Sequence, residues 1–242
     1  MKLQVNDLIL EVTRSCNLKC IHCLRGDAQR LKMTEAIMDK VLNQIEHIGT
    51  VTFSGGDPSL NIPLIEHFTQ YCRSKKIAGR SIGPDYFYVV TNGKKNSKAL
   101  ADALIDLYDI CDNMENSREE GMGGLAMSRD QYHDEVPIPR IFKALSFFRE
   151  DDHARKIEYV INEGRAADNG LNGGREAKNH PFEIDIFDDD TLNVEEMLYI
   201  SANGNVSSDC DLSFKHADET CFGNVLDRPL VDIIRDNANI SS

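Results

Sequence analysis

The chain is predicted to fold as an α/β protein, a partial (β/α)6 TIM-type barrel with a small C-terminal β-hairpin extension. Three observations predict it. Short apolar runs alternate with amphipathic helical stretches at the spacing of parallel βαβ units. Six runs are too few for a closed eight-stranded barrel. The residues with the most suggestive chemistry each follow directly after a run, and barrel sites gather at the C-terminal ends of strands. A doubly wound sheet is the competing architecture. The core is expected over residues 1–190 and the extension over 191–242.

Residues 7–13 form a buried strand leading into Cys16-Asn17-Leu18-Lys19-Cys20-Ile21-His22-Cys23. A helix is expected from Thr34, its N-cap, through Ile37, Val41, Ile45 and Ile48, closed by Gly49. Residues 51–54 make a second strand, followed at once by Gly55-Gly56-Asp57-Pro58. A helix begins near Pro63, capped by Asn61, and carries Leu64, Ile65, Phe68 and Cys72, a core thiol, on its apolar side. Residues 86–91 form the third strand, ending in Asn92-Gly93, and residues 98–108 a helix. The fourth strand is residues 124–128, the next helix 138–148, the fifth strand 156–161 and the sixth 182–186, which alternates clearly. Between the last two lies a loop, residues 162–181, with Gly164, Gly170, Gly173 and Gly174, long enough to be either a lid or disordered. A hairpin then runs from Met197 to Ser201, turns through Asn203-Gly204 and returns through Asn205-Val206. Beyond it come Gly223-Asn224-Val225 and a short helix at Pro229.

Composition narrows the function. At 242 residues and 41% hydrophobic, the chain can bury one substantial core. A net charge of -13 argues against duplex nucleic acid as a partner, since that binding rests on Lys and Arg neutralising phosphates. No apolar run approaches the roughly 20 residues of a membrane span, and the N-terminus lacks a signal-peptide pattern, so a cytoplasmic protein is expected. Seven cysteines, an odd count without a paired framework, point to reduced thiols.

Cys16, Cys20 and Cys23 are the sharpest signal. Three thiols within eight residues can converge on one metal centre. A structural zinc site takes four protein ligands, and a fully cysteine-ligated iron–sulfur cluster takes a fourth cysteine. Three cysteinates on a four-iron cluster would leave one iron open. Buried thiols, or a zinc site completed by His22 or a distant cysteine, are the alternatives. Around the loop, Arg14, Lys19, Arg25, Arg30 and Lys32 would make a positive mouth able to steer an acidic partner, or simply a solvated loop.

These motifs resemble the radical S-adenosylmethionine (SAM) superfamily. Cys16, Cys20 and Cys23 match its C-x3-C-x-Φ-C signature with His22 in the commonly aromatic position, and Thr13, Asn17 and Leu18 match the lead-in. The resemblance implies a [4Fe-4S] cluster on the three cysteines, with SAM chelating the open iron. Gly55-Gly56-Asp57 resembles the Gly-Gly-Glu motif that receives the SAM amino group, with Asp one methylene shorter. Asn92 of Thr91-Asn92-Gly93, and Ser128 and Asp130 of the Ser-x-Asp segment, are implied near the cofactor. Arg165 of Gly164-Arg165-Ala166 also recurs there, though a structural ion pair is its simpler role, and Val160 and Ile161 can line the adenine. The tail resembles a shortened SPASM or twitch extension, yet only Cys210 and Cys221 stand in it, short of an auxiliary cluster's ligands.

The function implied is reductive cleavage of SAM to a 5′-deoxyadenosyl radical that abstracts hydrogen from a substrate. Tyr132 and His133 are candidates for substrate-facing chemistry, His133 for proton transfer. A peptide or protein residue is the expected substrate, with a small metabolite or nucleotide as the enzymatic alternative and a non-catalytic metal-binding scaffold as the alternative of another class. An acidic one-electron donor of flavodoxin or ferredoxin type is the expected partner.

Overall fold

The computed structural model describes residues 2–77, 80–81, 83–117, 121–133, 135–154, 156–171, 174 and 176–240. Strand β1 (Lys2–Thr13) is buried on both faces from Leu8 to Thr13, as a strand inside a covered parallel sheet must be. Helix α1 (Glu35–Leu42) starts where Thr34 accepts the Ile37 N–H on its side chain, 3.3 Å away. It ends at Leu42, earlier than its periodicity suggested. Ile45 and Ile48 belong to β2 (Ile45–Gly55), which pairs in parallel with β1 from Leu3↔Ile45 onward. Gly49 does not close the helix. It sits against β1, where an added Cβ would lie 2.6 Å from the Asn6 carbonyl.

Helix α2 (Ile62–Ser74) buries Leu64, Ile65, Phe68 and Cys72. The Cys72 thiol is pushed up to about 12 by burial, which keeps it inert. A small hairpin of β3 (Lys76–Ile77) and β4 (Arg80–Ser81) follows, then β5 (Tyr86–Thr91) and α3 (Ser97–Tyr108). The three long helices join the sheet in one continuous apolar core, in which Phe53 of β2 meets Phe68 of α2 edge-on at 5.3 Å.

After β6 (Gly124–Met127) the chain departs from expectation. The helix predicted over 138–148 shrinks to α4 (Arg140–Lys143). Pro137 and Pro139 keep the preceding backbone extended and withhold N–H donors. Its last residue, Phe148, instead opens β7 (Phe148–Arg149), which pairs with β6. Residues 156–161 form no strand: the Gln131 amide brackets Ile157 instead, donating to its carbonyl at 2.7 Å and accepting its N–H at 2.9 Å. The segment 162–181 holds a short helix, α5 (Gly164–Asp168), while Asn172, Gly173 and Arg175 lie outside the described residues.

Strand β8 (Phe182–Ile186) runs antiparallel to β9 (Thr191–Ile200) rather than joining the parallel set. The parallel neighbour of β1 on that side is β9 itself, longer than the hairpin arm expected there. The sheet thus runs β10 (Asn205–Ser207), β9, β1, β2, β5, β6, β7, and six of these strands, β9 to β7, are mutually parallel. This is an open parallel α/β sheet of partial-barrel type. The 190/191 position falls between two strands that hydrogen-bond to one another. Helix α6 (Phe214–Thr220), β11 (Gly223–Asn224), α7 (Leu230–Asp236) and β12 (Ala238–Ile240) complete the chain. No described helix is long and apolar enough to cross a membrane.

Candidate cluster and cofactor site

The loops after β1, β2, β5 and β6 leave the same end of the sheet. There they line one cavity of about 370 Å³, within the usual range of small-molecule sites, roughly 300–1,000 Å³. Cys16, Cys20 and Cys23 line it together with Gly55, Gly56, Asp57, Asn92, Ser128, His133 and Arg165. The structure therefore brings together most of the residues singled out from the sequence. Tyr132 lies in an adjoining pocket beside Cys20, and Asp130 in two others. Val160 and Ile161 are not among the described residues lining the cavity, and Ile161 packs instead against Ala177, Leu212 and Ala217.

The cysteine loop is held at both ends. Thr13 accepts the Ser15 N–H at 3.0 Å and donates to the Leu31 carbonyl at 3.1 Å, which starts the loop. Arg165 closes it: its backbone N–H reaches the Cys23 carbonyl at 2.9 Å, its Nε the Cys20 carbonyl at 3.0 Å, and its Nη1 pairs with Asp27 at 3.2 Å. The ion-pair reading of Arg165 is met, although the same side chain faces the cavity. Gly164 has φ +51° and a Cβ there would stand 2.3 Å from the Leu24 carbonyl, so only glycine lets α5 dock on the loop.

Burial pushes the Cys20 thiol up to about 11, with Cys23 and then Cys16 adding to it, and burial likewise raises Cys16. A cation bound among them would offset that cost by holding the sulfurs as thiolates. On the adjoining side, Asn92 Nδ2 donates to Asn17 Oδ1 at 2.8 Å and leaves the buried Asn17 Nδ2 without a partner. The glycines of the β2 loop serve closeness: a Cβ on Gly56 would stand 2.3 Å from the Ser15 carbonyl, directly against the cysteine loop. This donor set and cradle fit an iron–sulfur cluster with one open iron and a nucleoside-sized companion.

Asp57 is otherwise occupied. Its buried carboxylate accepts from Ser59 N, Thr91 Oγ1 and Asn92 N at 2.9, 3.0 and 2.9 Å. The positive mouth expected around the loop is also smaller than its residue count. Arg14 is buried between Glu11 (2.7 Å) and Asp218 (2.6 Å), and Arg25 turns inward to the Leu212 carbonyl (2.8 Å) and over the Tyr199 ring at 5.1 Å. Lys19, Arg30 and Lys32 remain exposed.

Sequence reasoning missed Arg25, Ser54, Val90, His153 and Asp211 as cavity residues, and placed Cys210 only in the tail. Arg25 and Ser54 adjoin recognised motifs and were within reach. His153 was not. It has φ +54°, a left-handed backbone uncommon outside glycine, and its ring lies 2.9 Å from the Tyr88 hydroxyl. Cys210 arrives from 187 residues beyond Cys23 by way of β10. Cys221 is elsewhere, its thiol directed at the Asp218 carbonyl 3.8 Å away.

Residues 10–118 match the model of the Radical SAM superfamily. An uncharacterized protein of Methanocaldococcus jannaschii is 39% identical over 69 residues, 27% of this chain and 24% of that protein, so the match spans about a quarter of the relative's length. Among solved structures, BtrN in complex with AdoMet and 2-DOIA is similar at a TM-score of 0.51 and 14% identity, covering 97% of this chain and 83% of that one. Native anSMEcpe with bound AdoMet and Cp18Cys peptide is similar at a TM-score of 0.55 and 15% identity, covering 97% and 82%. At such identities the likeness is one of fold. The segment that resembles the Radical SAM superfamily, residues 10–118, contains the cysteine triad together with Gly55, Gly56, Asp57 and Asn92.

Proposed function

We propose that this chain is a radical SAM enzyme acting on a peptide or protein residue. The observation that carries the reading is the sharing of one cavity by Cys16, Cys20 and Cys23 with Gly55, Gly56, Asn92 and Ser128, at the C-terminal ends of parallel strands. When bound, the reduced cluster and SAM supply a 5′-deoxyadenosyl radical that abstracts hydrogen from the substrate. The chain's own work is placement and enclosure. The three thiols bind the cluster. Backbone groups of Gly55 and Gly56 receive the SAM amino group, since the Asp57 carboxylate is already engaged. Asn92, Ser128 and Arg165 border the same space. Asp130 stands behind His22 and His133 of the cavity wall, 3.8 and 2.9 Å from them.

Two surface pockets, of about 630 and 430 Å³, adjoin the cavity through His133 and His153. Room beside the cavity suits a substrate that extends past the cofactor, and anSMEcpe carries a peptide on a similar fold. A small metabolite is the second reading, supported by BtrN with 2-DOIA. The reductant proposed is an acidic one-electron donor, which the exposed Lys19, Arg30 and Lys32 would attract.

The test is turnover. Anaerobically reconstituted, dithionite-reduced protein should convert SAM to 5′-deoxyadenosine, and Cys20→Ala should abolish it. A purified chain with zinc but no acid-labile sulfide, inert toward SAM, would make it a metal-binding scaffold. Offered deuterated peptide and metabolite pools, the enzyme should return label in 5′-deoxyadenosine from the peptide pool.

A further inference from the structure

A second set of ligating side chains stands beside the cysteine loop. His22, between Cys20 and Cys23, faces the loop after β6, where Asp130 and His133 lie. One ligand atom from each of His22, Asp130 and His133 falls within 4.8 Å of the other two. Asp130 Oδ2 is 3.8 Å from His22 Nε2, and Asp130 Oδ1 is 2.9 Å from His133 Nδ1. Ligand atoms bound at about 2.0–2.2 Å around a tetrahedral ion stand about 3.4 Å apart, and the Asp130 carboxylate turns one oxygen toward each imidazole at separations of that order.

Ordinary hydrogen bonding does not account for the arrangement. His133 Nδ1 is buried and makes no hydrogen bond, so its close approach to Asp130 is out of line for one. Asp130 is only 6% exposed in its side chain, and its Oδ1 is fixed by the Tyr132 N–H at 2.8 Å. The His22 ring stacks on Tyr132 at 4.7 Å and meets the His133 ring edge-on at 5.0 Å, which holds both imidazoles in place. Two imidazoles and one carboxylate on fixed supports form a donor set suited to a first-row divalent ion.

The geometry points to a second metal site in this chain: His22, Asp130 and His133 bind one zinc-type divalent cation, separate from the cysteine centre. His22 and His133 also line the cavity, so an ion's remaining coordination positions lie within reach of a substrate carboxylate, phosphate or thiolate. The site gives His133, expected from the sequence to move protons, a ligand's role. It does not depend on what the cysteines hold.

The test counts metals separately. Full-length protein carrying its iron–sulfur centre is equilibrated anaerobically with zinc, desalted and assayed for zinc, iron and acid-labile sulfide. The expected result is about one zinc per chain in the wild type and in Cys210→Ala. Zinc affinity should fall more than about tenfold in Asp130→Asn and His133→Gln, with iron and sulfide unchanged. Zinc should also raise the thermal midpoint of the wild type and not that of Asp130→Asn, which keeps an oxygen for the Tyr132 N–H. Equal zinc in both variants and the wild type, or none in iron-replete wild type, overturns the site. Should the cysteines take zinc in place of iron, the count would still drop by about one in Asp130→Asn, and the missing sulfide would then speak only to the cluster.

Discussion

Asp57 at the end of β2 accepts the backbone N–H of Asn92 at the end of β5, 2.9 Å away, and so ties two strand ends across the cavity floor. The same carboxylate takes Thr91 Oγ1 at 3.0 Å and Ser59 N at 2.9 Å. Shortening glutamate to aspartate in this motif goes with a carboxylate that serves as a strut. Asp57→Ala should cost about 2–4 kcal/mol by stranding buried donors, with Asp57→Asn milder. Urea unfolding measures it, and a wild-type midpoint for Asp57→Ala would refute the strut.

Arg14 links β1 to the tail over a sequence distance of 204 residues, through paired bonds to Asp218 at 2.6 and 2.8 Å. Glu11, fully buried, is shared among Arg14, Ala202 N and the Tyr199 hydroxyl. Arg14→Ala should destabilise the fold by about 3–5 kcal/mol, because it leaves the buried Glu11 carboxylate uncompensated. Asp218→Ala should cost less, since its side chain is 35% exposed. Equal midpoints for Arg14→Ala and wild type would contradict this.

Acid should loosen the tail first. Burial alone would raise the Asp218 carboxyl, but its bond to Arg14 outweighs that and holds it below 3.8; Glu163 is likewise held below 4.5, against burial, by Ser213 and His216. Carboxyls depressed in the folded state contribute stability that is present above the unfolded values and lost as pH falls through the folded ones. Amide exchange of residues 214–220 should therefore accelerate below about pH 4 before that of α2. In Asp218→Asn this pH dependence should flatten; an unchanged profile would remove Asp218 from the linkage.

Gly56→Ala should push the β2 loop off the cysteine loop, since its Cβ would stand 2.3 Å from the Ser15 carbonyl. Iron and sulfide content after reconstitution should fall, with a stability cost of about 1–3 kcal/mol. Gly170→Ala is strained by its φ of +67° but meets open space, so it should cost some stability and leave the iron content intact. Similar iron in the two variants would show that loop contact is not what assembles the centre.

Residues close in sequence settled what could be read in advance. The apolar strand before Cys16, the three thiols with their spacing, and Gly55-Gly56-Asp57 and Thr91-Asn92-Gly93 at strand ends are local patterns. Backbone sterics and side-chain alternation write these directly into short stretches of chain. Tertiary structure alone decided the rest, because pairing and burial are properties of distant segments. Phe148–Arg149, only two residues long, takes the fifth parallel place where residues 156–161 were expected, and Thr191–Ile200 takes the sixth in place of Phe182–Ile186. A hydrogen-bond ladder goes to whichever strand arrives in register, and periodicity within one segment carries no record of its partner. For the same reason nothing near Asp57 announces Asn92, nothing near Arg14 announces Asp218, and His22 meets Asp130 only once β1 and β6 have placed their loops on one rim.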